Sequence, residues 1–330
     1  MVEMEKNLPF VTVMVCTIGK SPILEDTIKS LLRQNYPADR YEILVVVDED
    51  VNTFKKIKKY PVRVVFREKR AGLSSARNLC LKYAKGEIIA FTDDDCIVDE
   101  NWLRELVRVF NDEEIKGVGG IVRPLNFDPI SKAITLLELV GIAALNKEED
   151  AGIFHRRIAG INSAYRKTVI KEVGGWDENI IYGGDDVDFN YMLLKKNYKL
   201  RVTPNAVVYH NHRQTLRELF WWSYKLAIGY TYVIKKHRIY VRSLLISLPI
   251  ILLLSFLTLE VLLFIRYGVF ESISLLSLFI LIYLGWLLRK SKIIGINLDI
   301  KTIFYTPLVV LVFSIGGTIG RLRGFLKGNV

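Results

Sequence analysis

The stretch Phe91-Thr92-Asp93-Asp94-Asp95-Cys96 sets three carboxylates directly after the apolar run Ile88-Ile89-Ala90-Phe91. A short apolar run entered through the turn residues Lys85-Gly86 reads as a buried strand. Acids at the end of such a strand stand on the carboxyl edge of a sheet, where open α/β folds bind ligands. Side chains alternate along an extended chain, so Asp93 and Asp95 point the same way. Two convergent carboxylates repel unless a cation joins them. Hard oxygen ligands suit Mg2+ or Mn2+, ions that commonly hold phosphates. A solvated acidic turn is the plain alternative. Further acids close other segments: Asp48 follows the apolar run to Val47, and Asp185-Asp186 follow Gly183-Gly184.

These acids need strands to carry them. Phe10 to Cys16 reads as a first strand, and Ser21-Pro22 opens a helix with apolar positions Ile23, Leu24, Ile28, Leu31 and Leu32, ending before Pro37. Tyr41 to Val47 is a second buried strand, followed by a short basic helix and a third strand, Val62 to Phe66. Ser74 is placed to cap a helix whose apolar face is Ala76, Leu79, Cys80, Tyr83 and Ala84. Ile88 to Phe91 is the fourth strand. Regular alternation of strand and helix predicts an α/β fold, a Rossmann-like open parallel sheet with helices on both faces. The first turn, Thr17-Ile18-Gly19-Lys20, lacks the dinucleotide fingerprint, and no P-loop is present.

Lys and Arg number 46 against 35 Asp and Glu, a formal net charge of +11. Such a balance suits nucleic acid, an anionic membrane or an anionic substrate. The basic residues do not form a consecutive tract, which weighs against nucleic acid. Cys16, Cys80 and Cys96 show no pairing or metal spacing and read as free thiols in a reducing compartment. The charged segment Met1 to Lys6 is expected to carry no signal peptide.

Apolarity concentrates late in the chain. Residues 1–215 read as a cytoplasmic catalytic domain and 216–242 as an amphipathic juxtamembrane segment. Residues 243–330 read as an all-α membrane part with helices near 244–265, 269–288 and 302–320, each near the roughly 20 residues needed to span a bilayer. Arg266 alone is basic between the first two spans, whereas Arg289, Lys290, Lys292 and Lys301 follow the second, which places residues 1–242 on the cytoplasmic side. Arg321, Arg323 and Lys327 beyond the third segment run against that rule, leaving a span or a re-entrant segment open. Trp221, Trp222, Tyr224, Tyr230 and Tyr232, mixed with Arg217, Lys225, Lys235 and Lys236, suit the headgroup zone; Ile130 to Leu145 also looks amphipathic.

Taken in order, these motifs resemble the family 2 glycosyltransferases of the GT-A fold. Val13 to Thr17 resembles the opening strand and its turn, and Val45 to Asp50 the acidic segment that meets the nucleobase. Arg70-Ala71-Gly72-Leu73-Ser74-Ser75-Ala76-Arg77-Asn78 resembles the G-x-x-x-A-R-N segment, and Phe91 to Asp95 the D-x-D metal site. Gly174-Gly175-Trp176-Asp177 and Gly183 to Asp188 resemble the acceptor-side motifs. His210 resembles a third metal ligand of some members, with His212 as the alternative.

The resemblance implies that Asp93, Asp95 and His210 hold Mn2+ or Mg2+. It implies that Thr17, Asp48, Arg70, Arg77, Asp93 and Asp94 bind a UDP- or GDP-linked sugar. Asp186 is the expected catalytic base, with Asp185 beside it. Trp176, Asp177 and Gly184 face the acceptor, Trp176 as a platform for a sugar ring. Two departures stand out. Asp185 occupies a position that is usually Glu, and Gln214-Thr215-Leu216-Arg217-Glu218 has Glu where processive members carry the Trp of Q-x-x-R-W. The expectation is therefore an inverting transfer of one sugar to a lipid-linked acceptor at the membrane. A processive polysaccharide synthase and an inactive membrane scaffold are the rivals.

Overall fold

The computed structural model describes residues 8–152, 155–239, 265–266 and 269–326. The chain forms two compact units. The first comprises residues up to 126 together with 138–211; the second comprises 127–137 and the residues from 212. The first unit ends at residue 211, and residues 127–137 belong to the second.

In the first unit the apolar runs form β1 (Val11–Thr17), β2 (Tyr41–Asp48), β3 (Arg63–Arg67) and β4 (Ile88–Phe91). Each pairs in parallel, in the spatial order β3-β2-β1-β4. Beyond β4 the sheet becomes mixed. β5 (Cys96–Val98), β6 (Ile115–Pro124), β7 (Glu149–Asp150), β8 (Ser163–Arg166) and β9 (Lys199–His210) bring it to nine strands among the described residues. β8 lies antiparallel to both β4 and β6, β9 runs parallel to β6, and β5 and β7 pair antiparallel with β9. The parallel sheet expected from four strands is therefore only its first half.

Alternation along the strands builds a core on each face. Val11, Val13, Val15, Ile43, Val45 and Val47 pack with α1 (Leu24–Leu32), α2 (Val51–Ile57) and α4 (Trp102–Val109). Met14, Leu44, Val46 and Phe91 point the other way, toward α3 (Leu73–Tyr83), α6 (Lys167–Glu172) and α7 (Asp185–Lys195). The three cysteines are free thiols. Two local expectations are corrected. α1 starts at Leu24, past Pro22, with Ile23 as its N-cap. Ser74 does not cap α3: Gly72, at φ 87°, holds that place, and Ser74 Oγ donates to the carbonyl of Ile180 instead.

The second unit is helical. α5 (Pro129–Leu136) is capped by Asp128, whose Oδ1 accepts from Ile130 N and Ser131 N at 3.1 Å each. It stops well short of the expected Leu145. α8 (Leu216–His237) opens on a capping box between Thr215 and Glu218. α9 (Val269–Ile294) and α10 (Ile300–Leu326) follow. Asp299 caps α10 by accepting from Thr302 N at 2.7 Å, and Lys132 of α5 pairs with it at 2.5 Å. Gly316, Gly320 and Gly324 line one side of α10, where a Cβ would strike Ser223, Tyr224 and Thr231 of α8, so the two backbones meet closely.

Among the described residues, α10 is the one helix long and apolar enough to cross a membrane. The expected span at 244–265 lies outside the described residues apart from Ile265. Residues 269–288, expected as the second span, lie in α9, which continues through Arg289, Lys290 and Lys292 and, among the described residues, is not long and apolar enough by the same measure.

Candidate active site

The chain progresses outward from β1 to β2 and β3, then returns to place β4 on the other side of β1. A crevice opens at the carboxyl ends of strands where their order reverses in this way. Thr17 ends β1 and Asp93 to Asp95 follow β4, so both rims of the crevice are polar. Thr17 Oγ1 donates to Asp94 Oδ2 at 2.5 Å and accepts from Gly19 N at 3.0 Å. The carbonyl of Asp94 accepts from Ser21 Oγ at 2.7 Å and Thr27 Oγ1 at 3.0 Å. These bonds pin the acidic turn to β1 and α1.

His210 reaches the same turn through strand pairing. β5 and β9 set Cys96 opposite His210, and Asn211 N donates to the carbonyl of Asp95 at 2.9 Å. His210 Nε2 then lies 3.4 Å from Asp95 Oδ1. Asp95, Cys96 and His210 place their ligand atoms within 4.8 Å of one another. Cys96 is fully buried, and burial pushes its thiol well up, which makes it a poor ligand beside a carboxylate and an imidazole. Burial, and then the Asp95 carboxylate, push Asp93 up to about 7. A cation there would reverse both effects. Carboxylate oxygens with one imidazole nitrogen fit Mn2+ or Mg2+. Asp93 stands outside the closest three-residue cluster, although Asp95 and His210 both act on its charge. His212 turns to Thr135 in the second unit, with Nε2 3.0 Å from its hydroxyl.

Asp48 ends β2 opposite Arg67 of β3. Arg67 Nε and Nη2 donate to the two carboxylate oxygens at 2.6 Å each, a bidentate pair. The same guanidinium reaches Ser75 Oγ at 3.1 Å and the carbonyl of Gly72 at 3.3 Å. Sequence reasoning missed Arg67; its signal was a basic residue ending the strand next to β2. Arg70, by contrast, is exposed on the loop before α3 and makes no hydrogen bond or ion pair among the described residues.

Gly183 and Gly184 adopt φ of 114° and 89°, a turn only glycine takes readily, and deliver Asp185 and Asp186 to the first turn of α7. Carboxylates are favoured at that positive end. Asp186 accepts from Val187 N at 2.8 Å and Gly160 N at 3.3 Å. Asp185 is buried and paired with Arg77. Burial pushes the Asp185 carboxyl up, and the Arg77 guanidinium opposes the rise. Arg77 is thus not an open phosphate ligand: it is the fifth residue of α3, beyond the first turn, and is enclosed.

Trp176 is also corrected. It is 4% exposed, stacked on Phe189 with centroids 4.4 Å apart and edge-on to Phe91 at 5.1 Å, so it packs the core rather than meeting a sugar ring. Asp177 Oδ1 accepts from Asn179 N at 3.0 Å and holds the turn that leads to Ile180.

Residues 12–174 match the family described as Glycosyl transferase family 2. The chain carries a family 2 glycosyltransferase domain. "Probable glycosyltransferase YdaM" of Bacillus subtilis is 27% identical over 250 residues, which cover 70% of this chain and 57% of that protein. The "Dolichyl N-acetyl-alpha-D-glucosaminyl phosphate 3-beta-D-2,3-diacetamido-2,3-dideoxy-beta-D-glucuronosyltransferase" of Methanococcus voltae is 23% identical over 340 residues, covering 97% of this chain and 98% of that one. The mannosyltransferase PcManGT from Pyrobaculum calidifontis, solved with GDP-Man and Mn2+, has the same fold. Its TM-score is 0.67 at 18% identity, over 98% of this chain and 89% of that chain.

Proposed function

We propose that the protein moves a single sugar from a nucleoside-diphosphate sugar to a lipid-linked acceptor at the cytoplasmic face of a membrane, with inversion at the anomeric carbon. The observation that carries this reading is the crevice at the β1/β4 switch point. It gathers Thr17, Asp94, Asp95 and His210, with the Asp48–Arg67 pair on the neighbouring strands.

The nucleoside lies toward Thr17 and Asp48, where a carboxylate held by Arg67 accepts from the base or ribose. Asp93, Asp95 and His210 are the residues that would hold a divalent cation, which, when bound, neutralises charge on the diphosphate leaving group. Arg70, exposed on its loop, is the arginine that can reach the phosphates. Asp186 takes the proton of the acceptor hydroxyl as its oxygen attacks the anomeric carbon. The bond to the diphosphate breaks in the same displacement, and its electron pair leaves with the phosphate oxygen. Attack from the opposite side inverts the centre. The lipid nature of the acceptor is supported by α10, by the aromatic and basic residues of α8, and by the full-length likeness to a dolichyl-linked enzyme.

Nucleotide-sugar turnover with membrane lipid extract and Mn2+ tests the reading. Asp95→Ala should abolish metal-dependent turnover, and products should carry one added sugar. Full activity in that variant, or a long polymer as the product, would refute the assignment.

A further inference from the structure

The ion pair between Arg77 and Asp185 ties α3 to α7 beneath the proposed site, with side chains only 5% and 8% exposed. The guanidinium is boxed in. Its Cζ lies 5.6 Å from the Phe91 ring and 5.7 Å from the Trp176 ring. Gly160 leaves room for it: a Cβ there would come within 2.6 Å of Nη2. The same glycine donates its N–H to Asp186 Oδ2 at 3.3 Å. Phe91 ends β4, two residues before Asp93, and Arg77 and Asp93 act on one another's charge. One buried cation therefore sits between the donor edge and the acceptor-side acids.

Asp185 and Asp186 are neighbours on one helical turn; burial first, and then the adjacent Asp186 charge, disfavour the ionised form of Asp185, and the Arg77 charge favours it. A partner for one of them changes the other. We propose that Arg77 is a positioning residue for the acceptor-side base: by pairing with Asp185 it fixes the first turn of α7 against the end of β4. It thereby leaves Asp186 as the acid that takes the acceptor's proton. The inference rests on the glycosyltransferase reading above, and it replaces the phosphate contact expected for Arg77 from sequence. In the step concerned, the acceptor O–H proton passes to Asp186, the oxygen bonds to the anomeric carbon, and the phosphate oxygen leaves with its electron pair. Arg77 of α3 faces both acids, and also Asp93 after β4 and Cys16 of β1; Tyr165 of β8 faces Asp186, and Asp188 follows on α7 itself.

The test uses Arg77→Met, Asp185→Asn and the double variant in the full chain. The readouts are kcat/KM for sugar transfer against pH at saturating Mn2+, and the Kd of the nucleoside diphosphate. Loss of the cation should move the acid limb of the profile up in pH, and loss of the neighbouring anion should move it down. The double variant should return it near the wild-type position. Arg77→Met should lose about 10²-fold in kcat, the scale of one general base, while diphosphate affinity is retained. Limbs that stay put or move together overturn the role. So does an Arg77→Met protein that loses diphosphate affinity but keeps kcat, the signature of a phosphate ligand. Should Arg77→Met fail to fold, Asp185→Asn decides alone: a limb that rises or stays still refutes the proposal. A wild-type protein without any nucleotide-sugar turnover instead refutes the functional reading itself.

Discussion

Arg67→Met removes a guanidinium that makes two bonds of 2.6 Å to Asp48 and further contacts to Ser75 and Gly72. The side chains of the pair are 13% and 6% exposed, so water cannot replace the lost partner. Breaking a buried pair by deleting one member costs about 3–5 kcal/mol, because the other charge is left uncompensated. In a domain of this size each kcal/mol is roughly 2–4 °C in Tm, so a fall of about 10 °C is expected. The double variant Arg67→Met, Asp48→Leu removes both charges and should regain most of that loss. Nucleoside diphosphate affinity should fall in the single and the double variants alike, because both lose the held carboxylate that we propose meets the nucleoside. Thermal unfolding followed by circular dichroism gives the first result and isothermal titration the second. The reasoning fails if the double variant is no more stable than Arg67→Met, or if either variant binds the diphosphate like wild type.

Asp93 holds its proton more tightly when folded, at about 7 against an ordinary 3.8, so metal-free protein should lose stability as pH rises between those values. At 1.36 kcal/mol per unit the loss is roughly 4 kcal/mol, and Mn2+ should raise Tm far more at pH 8 than at pH 5; equal shifts would contradict the assignment of Asp93 to the cation site. In the helical unit, a Cβ on Gly320 would lie 2.2 Å from the Tyr224 carbonyl, whereas one on Gly285 meets nothing within 4 Å. Gly320→Leu should therefore cost about 1–3 kcal/mol or more by forcing α8 and α10 apart, and Gly285→Leu should leave Tm unchanged.

The first four strands were legible because each is an apolar run bounded by turn residues, and their ends differ from expectation by a residue or less. The acidic turn after β4 was legible for the same reason: strand alternation and the order of the βα units place it at the sheet edge without any long-range information. The mixed half of the sheet was not. β5 has three residues and β8 four, too short for periodicity to register, and their neighbours are set by antiparallel pairing with distant strands. Trp176 looked like a surface platform beside two glycines, but its ring completes an aromatic cluster with Phe91, Tyr165 and Phe189 that only the packing of α7 on the sheet creates.

By itself the sequence determined an inventory: acids at strand ends, an arginine-bearing helix, a glycine-led acid pair, a histidine after an apolar strand, and an apolar tail. Local rules suffice for these, since turn chemistry and apolar periodicity act over a few residues. The tertiary structure alone decided the partners. Arg67 holds Asp48, Arg77 holds Asp185, and His210 meets Asp95. A charge buried in a core must find its counter-charge wherever the chain brings one. That choice is made by strand order and helix packing across long stretches of chain, which spacing along the sequence does not encode.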